Sequence, residues 1–389
     1  MQEKSFYTLA VHAGTDLSEN FGAISVPIYT ASVYAFPDAD TGAAIHNHER
    51  EGYFYGRFGN PTQTALEKTI AELERGESAL AFASGMAAVS AALLTIVKSG
   101  DHIVAPTSMY STTTLFLNHL AENFGVETSF VDATTTENYA SAIKPNTKVF
   151  WIETPSNPLL RITDISEVAK IARQNNITTV ADNTFATPFN QRPLDSGIDL
   201  LIHSATKYLG GHSDLAAGLL VGKKEYVEQA RLKTTKLYGG NIAPQVAWLV
   251  LRGIKTLALR MERHNQNAFA LANMLSKHSQ VKEVFYPALS AQNEIAKRQM
   301  KGFGGIITFD IGGIEAGKTL VNNLDVCTLA TSLGGVETTI IHPASTTHST
   351  LSSEERLRAG ITDGLVRLSV GIEYVDDLMA DLQQALDKI

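Results

Sequence analysis

Between Ser78 and Val221 the chain repeats one texture, a short apolar run followed by a stretch with apolar positions at helical spacing. The runs are Ser78 to Ala83, His102 to Ala105, Val126 to Val131, Lys148 to Ile152, Thr178 to Ala181, Leu200 to His203 and Gly218 to Val221. The alternation of short apolar strands with helical segments fits parallel strands joined by crossover helices. The pattern predicts an α/β domain built on a mainly parallel seven-stranded sheet. Just upstream, Asn60 is suited to cap a helix that starts at Pro61 and lines up Leu66, Ile70 and Leu73 on one face.

Residues 1–58 show neither period. Pro27, Pro37, scattered glycines and the aromatic run Tyr53 to Phe58 predict an irregular arm that must pack against another body. From Trp248 to His278 a long helical stretch carries Leu257, Met261, His264 and Ala268 and is predicted to link two bodies, with a boundary near residue 250. Strands over Val281 to Tyr286, Gly305 to Asp310 and Leu365 to Val370, with a helix from Val375 to Ile389, predict a smaller α+β domain. The expected organisation is an arm (1–58), a large domain (59–250) and a C-terminal domain (251–389).

Composition narrows the function classes. The 389 residues are 44% hydrophobic and 19% charged, and the net charge of −8 is spread without long runs of one sign. That distribution gives neither a nucleic-acid footprint nor a polybasic membrane patch, so small molecules are the expected partners. A lone cysteine, Cys327, excludes an intramolecular disulfide and a cysteine-rich metal site and fits a reducing compartment, the cytoplasm. Met1 to Phe6 form no apolar signal core, and no run of about 18 apolar residues occurs. A soluble, non-exported protein is expected.

The candidate chemistry centres on Ser204-Ala205-Thr206-Lys207-Tyr208-Leu209-Gly210-Gly211, which places Lys207 between a strand and a glycine turn. A loop lysine is ordinarily a solvated charge, so Lys207 needs partners before it counts as an imine-forming amine. Asp182 ends another apolar run, at the strand edge where open α/β sheets bind ligands, and could hold a protonated pyridine nitrogen; a plain Asp-Asn turn is the alternative. Ala83-Ser84-Gly85-Met86 turns from strand into helix, where backbone amides suit a phosphate, and Ser204 and Thr206 could add hydroxyls. Arg367 interrupts an apolar strand and needs a partner, either a structural acid or a substrate carboxylate. Tyr110 suits ring stacking or acid–base work, or simple core packing. Ser204 to Lys207 also fits the S-x-x-K pattern of acyl-enzymes, but its companion motifs are absent. His203, His212, His342 and His348 form no H-E-x-x-H helix and are expected to be structural or substrate-facing.

Taken together the motifs resemble the Cys/Met-metabolism family of pyridoxal-phosphate enzymes, which includes cystathionine and methionine γ-lyases, cystathionine γ-synthases and O-acylhomoserine sulfhydrylases. The markers run in order along the chain: His12-Ala13-Gly14, Pro27-Ile28-Tyr29, Tyr55-Gly56-Arg57, Gly59 to Thr62, Ser84-Gly85-Met86, Glu153 to Pro158, Ala181 to Thr184, Ser204 to Tyr208 and Arg367 to Gly371. The resemblance implies the type I pyridoxal-phosphate-dependent transferase fold, similar to aspartate aminotransferase. It also implies that Lys207 carries the cofactor covalently, Asp182 pairs with the pyridine nitrogen and Tyr110 stacks on the ring. Gly85, Met86, Ser204 and Thr206 would bind phosphate, and Asn157 would approach the ring hydroxyl. Tyr55 and Arg57 would reach the phosphate of a neighbouring subunit, Ser332 and Arg367 would hold the substrate carboxylate, and the assembly would be a homotetramer.

Subfamily signals diverge. Gly360 to Arg367 resembles methionine γ-lyases, but Tyr110-Ser111-Thr112 stands where those enzymes usually have Tyr-Gly-Cys. Thr331 precedes Ser332 where many cystathionine γ-lyases carry glutamate, and His342 to His348, with Thr346 at its fifth position, resembles acylhomoserine sulfhydrylases. The expected activity is γ-elimination from methionine, homocysteine or cystathionine-type substrates to 2-oxobutanoate, ammonia and a thiol. The alternatives are γ-replacement on O-acetyl- or O-succinylhomoserine, and a non-catalytic regulatory protein that binds pyridoxal phosphate.

Overall fold

The structure, a computed structural model, describes residues 4–18, 20–347, 349, 352–358 and 360–389. Met1 to Glu3 and His348, named above, lie outside the described residues. The first seven strands are β1 (Ser78–Phe82), β2 (His102–Pro106), β3 (Glu127–Val131), β4 (Thr147–Glu153), β5 (Thr178–Asp182), β6 (Leu200–Ser204) and β7 (Gly218–Gly222). They form one sheet in the order β1-β7-β6-β5-β4-β2-β3, in which β7 runs antiparallel to both neighbours and the other pairings are parallel. Alternate residues of the same strands feed two different cores. Phe150, Ile152, Ala181 and Leu201 pack on one face, whereas Val149, Trp151, Val180 and Ile202 pack on the other. This explains the unbroken apolar runs of the sequence, since a strand covered on both sides has no polar face to show.

The arm is anchored rather than free. Asn60 caps the helix Pro61–Glu74 by accepting from the Thr62 amide at 2.9 Å, and its side-chain amide donates to the Tyr29 carbonyl at 2.7 Å. Thr62 and Thr69 donate to the carbonyls of Pro27 and Ala13, at 2.8 and 2.9 Å. A single helix thus supports both the sheet and the arm.

A second sheet of five strands follows: β8 (Glu283–Phe285), β9 (Ile306–Asp310), β10 (Thr328–Leu329), β11 (Thr339–Ile341) and β12 (Leu365–Ser369), in the order β10-β11-β12-β9-β8. The sequence reading finds β8, β9 and β12 but not the short β10 and β11. The expected continuous helix from Trp248 to His278 is instead two, Pro244–Ile254 and Leu257–Leu275. The break at Lys255 and Thr256 has a tertiary cause: the Arg260 guanidinium takes the Gly253 carbonyl at 2.7 Å and the Tyr208 carbonyl at 2.6 Å. Leu257 and Met261 of the second helix lie in the large core, and Ala268, Leu271 and Leu275 in the smaller one. No helix among the described residues is long and apolar enough to cross a membrane.

The turn from β1 into the helix Gly85–Ile96 is closed by β7, because a Cβ on Gly218 would lie 2.1 Å from the Ser84 carbonyl oxygen. Gly218→Ala is expected to destabilise the fold by about 1–3 kcal/mol, as overpacking does. Urea denaturation checks this, and an unchanged midpoint would contradict it.

Candidate active site

Parallel register brings the chemical residues to one edge. Glu153 at the end of β4 pairs with Asp182 at the end of β5, which pairs in turn with Ile202 in β6, two residues before Ser204. β2 leads through a short loop to Tyr110, and β1 leads to the Ser84-Gly85 turn. From the second sheet, β12 supplies Arg367, and the loop between β10 and β11 supplies Ser332.

Hydrogen bonds join these pieces across the two sheets. Lys207 Nζ donates to Ser332 Oγ at 2.6 Å. The Arg367 guanidinium donates to the Ser332 carbonyl and to Asn157 Oδ1, each at 3.0 Å. Backbone shape makes this approach possible: Gly334 has φ of +76°, and a Cβ there would sit 2.7 Å from the Tyr208 nitrogen. Only glycine lets the Ser332 loop lie this close to the Lys207 segment.

Lys207, Asp182 and Arg367 are half-buried, so each keeps a surface towards the cleft while protein displaces much of its water. Burial lowers the Lys207 amine to about 8, with the Arg367 charge as a second cause. Burial also brings Arg367 down to about 10. Its hydrogen-bond partners among the described residues are the two neutral oxygens already named. On the opposite side, burial raises the Asp182 carboxyl despite the bond it accepts from the Thr184 amide at 3.0 Å and the nearby His203. Buried Glu153 is raised well above the carboxylate range, by burial first and by Asp182 second.

The remaining predicted residues are placed as follows. Ser84 caps the helix Gly85–Ile96 by accepting from the Ala87 amide at 3.1 Å, and the amides of Gly85 and Met86 fall in the first turn, which lacks intrahelical acceptors. A Cβ on Gly85 would meet Ser204 Oγ at 2.9 Å, so that hydroxyl borders the turn. The Thr206 hydroxyl is engaged with Ala217, donating to its carbonyl at 3.2 Å and accepting from its amide at 3.0 Å. Tyr110 exposes 42% of its surface. Tyr55 and Arg57 are not brought to Lys207 within the chain: Arg57 donates to the Lys236 carbonyl, and its guanidinium lies 4.9 Å from the Phe58 ring centre. His203 bonds Glu74 at 2.6 Å, His212 the Gly210 carbonyl at 2.9 Å and His342 Ser345 at 2.8 Å, each in a separate place. Glu153 enters the sequence reading only as the first residue of the marker Glu153 to Pro158, with no role of its own. A further signal is an acid closing an otherwise apolar strand.

A lysine amine, a carboxyl at a strand end, an exposed aromatic ring and a helix N-terminus too crowded for a Cβ are the donor set that a phosphate-bearing pyridine aldehyde needs. The fold is the type I fold of pyridoxal-phosphate enzymes. A putative O-acetylhomoserine (thiol)-lyase from Campylobacter jejuni superposes with a TM-score of 0.95 at 34% identity, over 99% of this chain and 100% of that one, and its structure contains a pyridoxyl-lysine-phosphate group. The chain belongs to the Cys/Met metabolism PLP-dependent enzyme family, whose model matches residues 7–387. It is 49% identical to the L-methionine gamma-lyase of Fusobacterium nucleatum subsp. nucleatum, over 100% of both chains. It is 46% identical to the cystathionine gamma-lyase of Bacillus subtilis, over 98% of this chain and 99% of that one.

The lowered Lys207 amine gives a direct expectation. An amine reacts with aldehydes when neutral, so site-resolved reductive alkylation of the cofactor-free protein should rise with pH and level off above about 8, against about 10.4 for an ordinary lysine. Removing the neighbouring cation with Arg367→Gln should move the midpoint upward. Mass spectrometry of the Lys207 peptide measures both, and a wild-type midpoint near that of a free lysine would contradict the expectation.

Proposed function

We propose that the protein is a pyridoxal-phosphate-dependent carbon–sulfur lyase that performs γ-elimination on methionine, homocysteine or cystathionine-type substrates, releasing 2-oxobutanoate, ammonia and a thiol. The observation that carries this reading is Arg367. It is a partly desolvated guanidinium without an acidic partner among the described residues, joined through Ser332 to the Lys207 amine. That is a receptor for a carboxylate beside an amine that can move a proton, which suits an α-amino acid.

When bound, pyridoxal phosphate supplies an aldehyde for amino groups and a ring that takes up electrons from the neighbouring carbon. Lys207 would hold it covalently, Asp182 would face the ring nitrogen, and Tyr110 and Asn157 would border the ring. The Gly85 and Met86 amides, with Ser204 and Thr206, would take the phosphate. Arg367 and Ser332 fix the substrate carboxylate and so aim its α-carbon at Lys207. The Lys207 amine removes the α-proton, which its lowered basicity permits near neutral pH. A β-proton of the substrate is lost next, its electron pair forms the β,γ double bond as the bond from the γ-carbon to sulfur breaks, and Tyr110 donates its phenolic proton to the departing sulfur.

A second reading is γ-replacement on O-acetyl- or O-succinylhomoserine. It is supported by the likeness to the Campylobacter thiol-lyase and by Ser111-Thr112 beside Tyr110. We also propose a cytoplasmic homotetramer made of dimers in which Tyr55 and Arg57 enter the neighbouring cleft. Supporting this, the arm exposes Phe21 (100%), Ile24 (80%) and Val33 (70%), apolar surface that a second copy would cover.

Purified enzyme is expected to absorb in the visible and to release 2-oxobutanoate from a panel of sulfur amino acids, with Lys207→Ala losing both. Arg367→Leu should lower kcat/KM by roughly two to three orders of magnitude, the loss expected when one partner of a charge pair is removed. Homocysteine formed from O-acetylhomoserine only with added sulfide would favour replacement over elimination. Absence of turnover at about one per second on any substrate would leave a regulatory role instead. Light scattering should give a mass four times that of the 42.0 kDa chain; a monomer would refute the shared site.

A further inference from the structure

Glu153 has no part in the proposed reaction, yet it stands in the middle of the site. Its carboxyl is buried at the end of β4, directly beside Asp182 in the sheet register. Two acids placed side by side out of water are costly, and a neutral residue at either position would relieve the repulsion. What the carboxyl does in exchange is visible in its bonds. One oxygen accepts from the Asn157 amide at 2.8 Å and from the Tyr110 amide at 3.1 Å, and the other accepts from the Tyr110 amide at 2.9 Å.

These are the two loops that carry the residues expected at the cofactor ring. The Tyr110 side chain has no hydrogen bond among those described, so the backbone bond to Glu153 is the polar contact that fixes this residue. The Asn157 side chain accepts from Arg367 at 3.0 Å, which extends the connection to the carboxylate receptor. A second link between the same loops joins Ser108 Oγ and Ser156 Oγ at 3.1 Å. Remove the carboxyl, and the amides of Tyr110 and Asn157 lose their common acceptor.

We propose that Glu153 is a positioning residue: by tying the Tyr110 and Asn157 loops to the strand end next to Asp182, it sets where the ring and the side-chain amide meet the cofactor. This rests on the cofactor placement proposed above. It predicts that the geometry of the acceptor matters more than its charge, since both donors are neutral amides.

The test compares wild type, Glu153→Ala, Glu153→Gln and Glu153→Asp, each stripped of cofactor and titrated with pyridoxal phosphate. The readouts are the apparent dissociation constant, the induced circular dichroism per bound cofactor and the melting temperature of the stripped protein. The circular dichroism reports how the ring is held, and a purely structural role would leave it unchanged. Glu153→Ala should weaken binding about tenfold or more and lose at least about half of the induced signal, as misplaced supporting groups do. Glu153→Gln, whose amide oxygen can accept both bonds, should stay within about threefold of wild type on both counts. If Glu153→Ala does not fold, Glu153→Asp takes its place, because it keeps the charge but withdraws the acceptor by one methylene. Unaltered binding and dichroism in Glu153→Ala or Glu153→Asp would overturn the proposal, and so would Glu153→Gln as impaired as Glu153→Ala. A wild type without a visible band would overturn the cofactor placement as well, so the two failures are distinguishable.

Discussion

Everything at the site depends on the register of the parallel strands. Because β4 and β5 end level and β6 runs two residues further, Glu153, Asp182 and Ser204 arrive at a single edge although long stretches of chain separate them. The crossover helices force this arrangement: each strand must start again from the far side of the sheet, so each turn of chain delivers another loop to the same rim. A slip of one residue in β5 would point Asp182 into a core face and empty the site of its acid.

Charge is sorted across the rim. Asp182 and Glu153 lie together at the ends of the first sheet's strands, while Arg367 comes from the second sheet and lowers Lys207 from that side. The division would suit the ligands proposed above, with a basic ring nitrogen towards the acids and a carboxylate towards the guanidinium. Neither body could provide the pattern alone. The bond from Lys207 to Ser332 and the glycine-dependent approach at Gly334 make the two halves one cleft.

How much of this was legible beforehand followed from physics. Most strands of the large sheet were readable because burial on both faces leaves apolar runs bounded by turns, whereas the edge strand β3 is exposed or half-buried throughout and was marked by Val126, Phe130 and Val131 alone. β10 and β11 were not, since two and three residues are too few to establish any period. The helix break at Thr256 is not legible because local propensity favours continuation, and Arg260 is held by the Gly253 carbonyl together with the distant Tyr208 carbonyl. Lys207, Asp182 and Arg367 stood out as charged residues at the ends or in the middle of apolar strands. Glu153 satisfied the same criterion, but its role lies in backbone amides of two other loops, which no spacing encodes. The partners of Lys207 were equally hidden, because Ser332 lies 125 positions away.

The helix Leu257–Leu275 has a consequence for how the molecule comes apart. Its first turns are built into one core and its last turns into the other, with the rigid rod between them. Melting either core strips apolar surface from the same helix and leaves the other incomplete. The two cores are therefore coupled in stability through one shared helix, so a substitution that loosens its packing in one core weakens the other.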